Sequence, residues 1–318
     1  MISKIKISKP FIILAPMDDV TDTVFRQIVA DCASPDYFMT EFINAEGMQS
    51  AGRKATATRT RYDDKNNKVI AQIWGKVPEH FETSARELIE MGYYGIDINF
   101  GCPIKNVVNN GCCSAMIKPE GRAQAMELIS AARRGVGKDG FLSVKTRLGF
   151  NEIDYSWHEL ILGQKVNMLT VHVRTRKEMS KVPAQYEAML PIVELRNKIS
   201  PDTLLVVNGD IINRTHGEKL IEELGIEGAM IGRGIFHDPY AFSNESPWEN
   251  MTPEQKINLL RKHVDLFAKT WSNGERDYNT LKRYAKIYVN GFDGAKDLRV
   301  RIMDTKTTEE LISLLASL

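Results

Sequence analysis

The chain has 318 residues, 43% hydrophobic and 26% charged, with 42 Lys and Arg against 41 Asp and Glu for a net charge of +1. That composition excludes a disordered chain, and a charge so near zero announces no nucleic-acid partner, so any such partner must be read from local patches. The length allows one barrel-sized domain of about 250 residues with a smaller unit, or two ordinary domains.

The opening MISKIKISKPFIILAPM carries only a short apolar run that ends at Pro16. It is too short for a signal peptide or a membrane span, which predicts a cytoplasmic protein. Of four cysteines, three crowd between Cys102 and Cys113. This is no secreted disulfide framework, so reduced thiols are expected. The three cysteines contain no C-x-x-C pair and have no histidine nearby, so no metal site is expected.

Eight short apolar segments then follow: FIILAP from Phe11, YFMTEF from Tyr37, VIAQIWG from Val69, GIDINF from Gly95, FLSVKTR from Phe141, MLTVHVR from Met168, LLVVNGD from Leu204 and GAMIGRG from Gly228. Between most of them lie stretches of helical period, such as PEHFETSARELIEMG and PEGRAQAMELISAARRG, each opening near Pro-Glu and closing at Gly. Eight alternations of short strands, apolar on both faces, predict a (β/α)8 TIM barrel over Phe11 to Phe242. A doubly wound open sheet competes, but no G-x-G-x-x-G follows the first strand to support it. After Tyr240 the pattern changes. SNESPWENMTPEQ is polar, MTPEQ reads as a helix cap with Pro in the first turn, and Ile257, Leu260, Val264, Leu266 and Phe267 recur at helical spacing. A second helix is expected near Leu281 to Val289 and a last one through Leu311, Leu314 and Leu315. The predicted domains are a barrel over 1–243 and a small helical unit over 244–318.

In a parallel barrel the functional groups gather at the carboxyl ends of the strands. Those ends carry Pro16 and Met17; Thr40 and Glu41; Gln72; Asn99 and Cys102; Lys145 and Arg147; His172 and Arg174; Asn208, Gly209 and Asp210; Gly232 and Arg233. The loop from Gly95 to Ile117 is long and Asn-rich and bears Cys102, which marks it as a candidate site, although that stretch alone reads equally well with Cys102 as a small buried residue. The Asn208-Gly209-Asp210 and Gly232-Arg233-Gly234 turns let backbone amides approach an anion, and Arg233 adds a fixed charge, which together suggest a phosphorylated cofactor. A tight turn explains either one alone. Lys145, aimed into the mouth, requires an anionic or electron-rich partner such as a flavin ring whose reduced form is anionic at N1. Gln72 can give and take hydrogen bonds at such a ring's polar edge. His172 and Arg174, two residues apart, share one face.

LAPMDDVTDTVFR, TEFINAEG, AQIWG, DINFGCPIKNV, VKTRLG, VHVRTR, VVNGDI and MIGRG, in this order and spacing, resemble the tRNA-dihydrouridine synthases, flavoproteins that reduce uridine in tRNA. The similarity covers nearly the whole chain, including LKRYAKIYVNGFDGAKDLR, which looks like that family's helical tRNA-binding domain. The resemblance implies an FMN-binding barrel with NADPH as reductant and Cys102 as general acid. It also implies FMN contacts from Pro16, Met17, Gln72, Lys145, His172, Asn208, Gly209, Asp210, Gly232 and Arg233, and uracil contacts from Asn99 and Arg174.

The chemistry agrees with the residues. Reducing the C5–C6 bond requires a hydride from flavin N5 to C6 and a proton to C5, and a thiol near its ordinary pKa of ~8.5 can deliver that proton. The neighbouring sequence offers only Lys105 as a cation. The target base must also leave its stack, which calls for a basic surface beside the cavity. Between Leu281 and Met303 stand Lys282, Arg283, Lys286, Lys296, Arg299 and Arg301 against Asp293 and Asp297, six minus two or +4, interleaved with Tyr284 and Tyr288. A solvated helix face over an aromatic core is the plain alternative; Lys4, Lys6 and Lys9 could add to the same field. Cys112 and Cys113 depart from the small residues usual there and read as structural thiols. Asp18 and Asp19 are more acidic than many relatives, and would either disfavour RNA locally or cap the following helix. Two other functions fit in part: a flavin barrel reducing a free small molecule, and an RNA-binding protein without catalysis.

Overall fold

The computed structural model describes residues 9–64 and 67–318, so Lys4 and Lys6 lie outside the described residues. Eight parallel strands, β1 (Phe11–Leu14), β2 (Tyr37–Asn44), β3 (Val69–Trp74), β4 (Gly95–Asn99), β5 (Leu142–Arg147), β6 (Met168–His172), β7 (Leu204–Asn208) and β8 (Gly228–Ile231), close in sequence order into a barrel. Closure comes from β1 pairing with β8, Phe11 opposite Gly228 and Leu14 opposite Ile231. The fold is the (β/α)8 barrel that the alternating pattern predicts.

Helices wrap the strands in turn. They are α1 (Thr23–Ala33) after β1, α2 (Ala45–Met48) and α3 (Arg53–Thr56) after β2, α4 (Pro78–Glu90) after β3, and α5 (Lys105–Asn109) and α6 (Arg122–Val136) after β4. Then come α7 (Tyr155–Gly163), α8 (Leu190–Ile199) and α9 (Arg214–Leu224) after β5, β6 and β7. Residues such as Ile12, Leu14, Ile96, Ile98, Val171 and Val207 face these helices and are fully buried. The alternate residues face inward, and their polarity rises along the strands. At the amino-terminal end Phe11, Tyr37, Phe141, Met168 and Met230 fill the barrel with apolar bulk. Room for Phe141 and Phe11 comes from Gly95 and Gly228, where a Cβ would stand 2.6 and 2.5 Å from those rings. Above this plug the inward positions are Gln72, Asp97, Asn99, Lys145, His172 and Asn208. The period of two that buries the core thus carries the polar groups to the mouth.

Beyond β8 the chain forms α10 (Pro253–Thr270), α11 (Tyr278–Lys282), α12 (Ala285–Tyr288), α13 (Ala295–Asp304) and α14 (Thr308–Ala316). Thr252 caps α10 in a reciprocal box with Gln255, as MTPEQ predicts. The single helix expected near Leu281 to Val289 is two short pieces. The intervening Tyr284 is drawn inward to donate its hydroxyl to Val20 O at 2.7 Å and to stack on Phe25 of α1 at 5.0 Å. The sequence reading missed α13, because only Ala295, Leu298 and Ile302 of its ten residues are buried and its apolar stripe is thin.

These helices lock onto the β1 and β2 side of the barrel. Arg276 forks both oxygens of Glu41 at 2.8 and 2.9 Å and reaches Asp22 at 3.3 Å, all three side chains being buried. Trp271 also donates to Asp22, whose other oxygen caps α1 on Phe25 N. The α1 cap is therefore Asp22, whereas Asp18 and Asp19 pair with Arg59 at 3.1 and 3.2 Å. Among the described residues no helix is long and apolar enough to cross a membrane.

Candidate active site

One cavity of about 460 Å³ opens at the carboxyl ends of the strands, a size within the roughly 300–1,000 Å³ usual for ligand sites. Pro16 and Met17 of β1's end, Gln72 of β3, Asn99 and Cys102 of β4 and its loop, and Lys145 of β5 line it. So do His172 and Arg174, the Asn208-Gly209-Asp210 turn, and Gly232 and Arg233. Every strand-end residue assigned from sequence to cofactor, base or acid is brought to this one mouth. Glu41 is not: it is fully buried and taken by Arg276.

The β7 and β8 turns form one wall. Asp210 receives the Arg174 guanidinium on one oxygen and Arg233 on the other at 3.0 Å. Though partial burial opposes it, these bonds hold its carboxyl below the usual carboxylate range. Arg174 also donates to Val182 O and His172 Nε2, so three of its five N–H groups are committed and two are left for a ligand. Burial first, then the surrounding Lys145, Arg147, Arg174 and Arg233, keeps the His172 imidazole neutral far below its ordinary pKa. Gly209 has φ 133°, a region that penalises other residues, and Tyr186 fixes it by donating to its carbonyl at 2.7 Å. At Gly234 a Cβ would lie 2.6 and 2.7 Å from the Ile212 and Ile211 carbonyl oxygens, so glycine is what lets the two turns nest.

The opposite wall is a relay of hydrogen bonds. Ser143 and Gln72 donate to the two oxygens of Asp97 at 2.6 and 2.7 Å, Asn99 donates to Gln72 at 2.9 Å, and the Asn99 carbonyl accepts from Gly101 N and Cys102 N at 3.0 Å. Asn99 thereby holds the loop that presents Cys102. Burial raises the Asp97 pKa to about 6. Asp97 was overlooked in the sequence, although an acid midway along GIDINF, on the inward parity of Asn99, was the signal.

Cys102 differs from the ordinary thiol expected. Its pKa falls to about 7, first through the Cys113 thiol packed beside it, against the opposing effect of burial, with further help from the nearby Ile104 backbone and the charge of Arg147. The cation is Arg147, whose Nε donates to Gly101 O at 2.6 Å, whereas Lys105 is exposed. Ser114 ties the returning loop to Cys102 O at 2.7 Å, and Cys102, Cys112 and Cys113 cluster against Phe42 and Trp74. All four cysteines are free. Lys145, lowered to about 8 by burial and then by Arg147 against the pull of Asp97 and Cys102, is still charged at neutral pH and forms no salt bridge among the described residues. An uncommitted ammonium, glycine turns beside Arg233 and an apolar base at Ala15, Pro16 and Met17 suit a phosphorylated planar cofactor such as a flavin nucleotide.

The basic strip on the C-terminal helices is thinner than the sequence count. Lys282 is buried, donating to Met303 O at 2.9 Å beside the Tyr278 ring, so it is corrected from surface contact to core group. Arg299 is half-buried on Val289 O. Tyr284 and Tyr288 are core residues. Arg283, Lys286, Lys296 and Arg301 are exposed.

Comparison with known proteins follows the same lines. The family model described as dihydrouridine synthase (Dus) matches residues 13–317. A protein of Bacillus subtilis (strain 168) named probable tRNA-dihydrouridine synthase 2 is 44% identical over 315 residues, covering 98% of this chain and 94% of its own. A probable tRNA-dihydrouridine synthase of Staphylococcus aureus (strain Mu50) is 44% identical, covering 98% and 93%. A solved 2-naphthoyl-CoA reductase complex shares the fold at a TM-score of 0.54 and 13% identity, over 74% of this chain and 51% of that one. With a family match spanning the barrel and the C-terminal helices, and relatives similar from end to end, this chain belongs to the dihydrouridine synthase family.

Proposed function

We propose that this protein reduces the C5–C6 bond of uridine in tRNA to 5,6-dihydrouridine, holding flavin mononucleotide in the barrel mouth, taking electrons from NADPH and delivering the C5 proton from Cys102. The observation that carries the reading is the convergence of the Cys102 thiol, the Lys145 ammonium and the Gly209, Gly232 and Arg233 turns on one cavity. Family membership supports it, and so do the names of the relatives.

Gly209, Asp210, Gly232 and Arg233 would hold the phosphate end, with Arg174 and His172 fixing Asp210's side of the cradle. Gln72 and Lys145 would meet the ring, Lys145 placing positive charge where the reduced ring carries its negative one. The bound flavin supplies the hydride to C6. Cys102 supplies the proton to C5, and the thiolate left behind is favoured by the adjacent Cys113 thiol and the charge of Arg147 before solvent reprotonates it. The remaining N–H groups of Asn99 and Arg174 are available to the uracil. Arg283, Lys286, Lys296 and Arg301, with the half-buried Arg299, face outward to meet phosphates, a feature a reductase of free pyrimidines does not need. A tRNA substrate and reduced thiols fit a cytoplasmic enzyme.

The test is mass spectrometry of tRNA incubated with enzyme and NADPH. Wild type is expected to add two hydrogens to a uridine. Cys102→Ala is expected to stay yellow with bound flavin and to lose that product; full turnover in this variant would remove Cys102 from the role of acid.

A further inference from the structure

A second hollow of about 220 Å³ lies beside the main cavity and shares Phe42, Cys102 and Ile104 with it. Its walls are Phe42 at the end of β2 and Trp74 at the end of β3, both half-buried, and Ile104, 53% exposed, also lines it. The rim is polar. Arg59 stands there bridged to Asp18 and Asp19, and the Asn44 amide, whose oxygen is occupied by Gly47 N, keeps its two N–H donors.

We propose that this hollow is a second nucleobase site, taking the base that neighbours the uridine in the main cavity. The inference rests on the functional reading above. Cys102 lines both spaces together with Phe42 and Ile104, so a strand that delivers one base to the sulfur from the main cavity passes the adjoining hollow with its next nucleotide. Aromatic side chains are what a base stacks on without regard to sequence, and an acceptor at Asp18 with donors at Asn44 and Arg59 can meet a base edge. The Asp18 carboxylate makes the hollow unsuited to a phosphate.

Position along the molecule gives the same answer. The phosphate-type cradle occupies the β6 to β8 side of the mouth, whereas the hollow sits on the β1 to β4 side, where the C-terminal helices dock. Arg283 of those helices pairs with Asp19 at 3.5 Å, and Asp19 pairs in turn with Arg59 at the rim. A continuous polar track therefore runs from the exposed basic helices through Asp19 and Arg59 to the hollow and Cys102, the course a bound RNA strand would follow.

The test pairs enzyme variants with altered RNA. Once the modified uridine is mapped, tRNAs carrying an abasic site at its 5′ or its 3′ neighbour are compared with intact tRNA, using wild type, Trp74→Leu and Phe42→Leu enzymes that retain flavin. With wild type, one of the two abasic tRNAs is expected to show a KM raised between about 5- and 150-fold, the range for loss of one stacked base. That penalty is expected to shrink or vanish in Trp74→Leu, and Phe42→Leu serves if Trp74→Leu does not fold. An equal penalty in wild type and variants, or none at either neighbour, overturns the second site while leaving uridine reduction standing. A wild-type enzyme that forms no dihydrouridine at all overturns the functional reading, and this inference with it.

Discussion

Cys113 gives the most direct test of how the fold tunes the reaction. Its thiol packs beside Cys102 Sγ and is the largest influence on the Cys102 pKa, lowering it to about 7 as a donor to the thiolate would. Cys113→Ala keeps the Cβ at this φ of 53° and so adds no backbone strain. It removes only the donor. A hydrogen bond to a charged acceptor contributes about 1.5–3 kcal/mol, and one pKa unit is about 1.4 kcal/mol. The variant thiol should therefore titrate roughly one to two units higher. A general acid must be protonated, so wild-type turnover is full below about 7 and falls as pH rises through it, while the variant's alkaline limb should move to roughly 8–9. The assay is single-turnover reoxidation of pre-reduced enzyme by tRNA, followed by flavin absorbance from pH 6 to about 10. Alkylation of Cys102 by iodoacetamide against pH reports the same ionisation without the reaction. An alkaline limb that stays near 7, or moves down, refutes the argument.

Further outcomes follow from the same geometry. Arg276→Met leaves Glu41 and Asp22 buried without their cation and should cost about 3–5 kcal/mol in chemical denaturation, part of it recovered when Glu41→Gln is added. Gly234→Ala drives a Cβ into the Ile211 and Ile212 carbonyls and should cost about 1–3 kcal/mol while loosening flavin, measured as cofactor lost on dialysis. Arg283→Gln, Lys286→Gln and Arg301→Gln should each weaken tRNA binding and flatten its dependence on log salt by about 0.9 for each phosphate no longer neutralised. Lys282→Gln should instead lower the melting temperature and leave that slope unchanged, because its ammonium sits on Met303 O.

Much of this molecule was legible along the chain because the strand period is local. Inward residues alternate with outward ones, so naming the ends of FIILAP, VIAQIWG, SVKTR and VVNGD named the lining of the mouth before any contact was known. The Thr252 cap and the Pro253 start of α10 were equally local. By itself, then, the sequence determined the eightfold alternation, the barrel, and which side chains meet at its carboxyl end. Tertiary structure alone decided which charges those side chains feel. Cys113 reaches Cys102 only after the loop turns through α5 and back, Glu41 leaves the mouth for an arginine 235 positions away, and Lys282 turns inward where spacing suggested solvent. Ionisation and burial depend on neighbours set by closure of the barrel and docking of the last helices, and neither is encoded in the periodicity of any one segment.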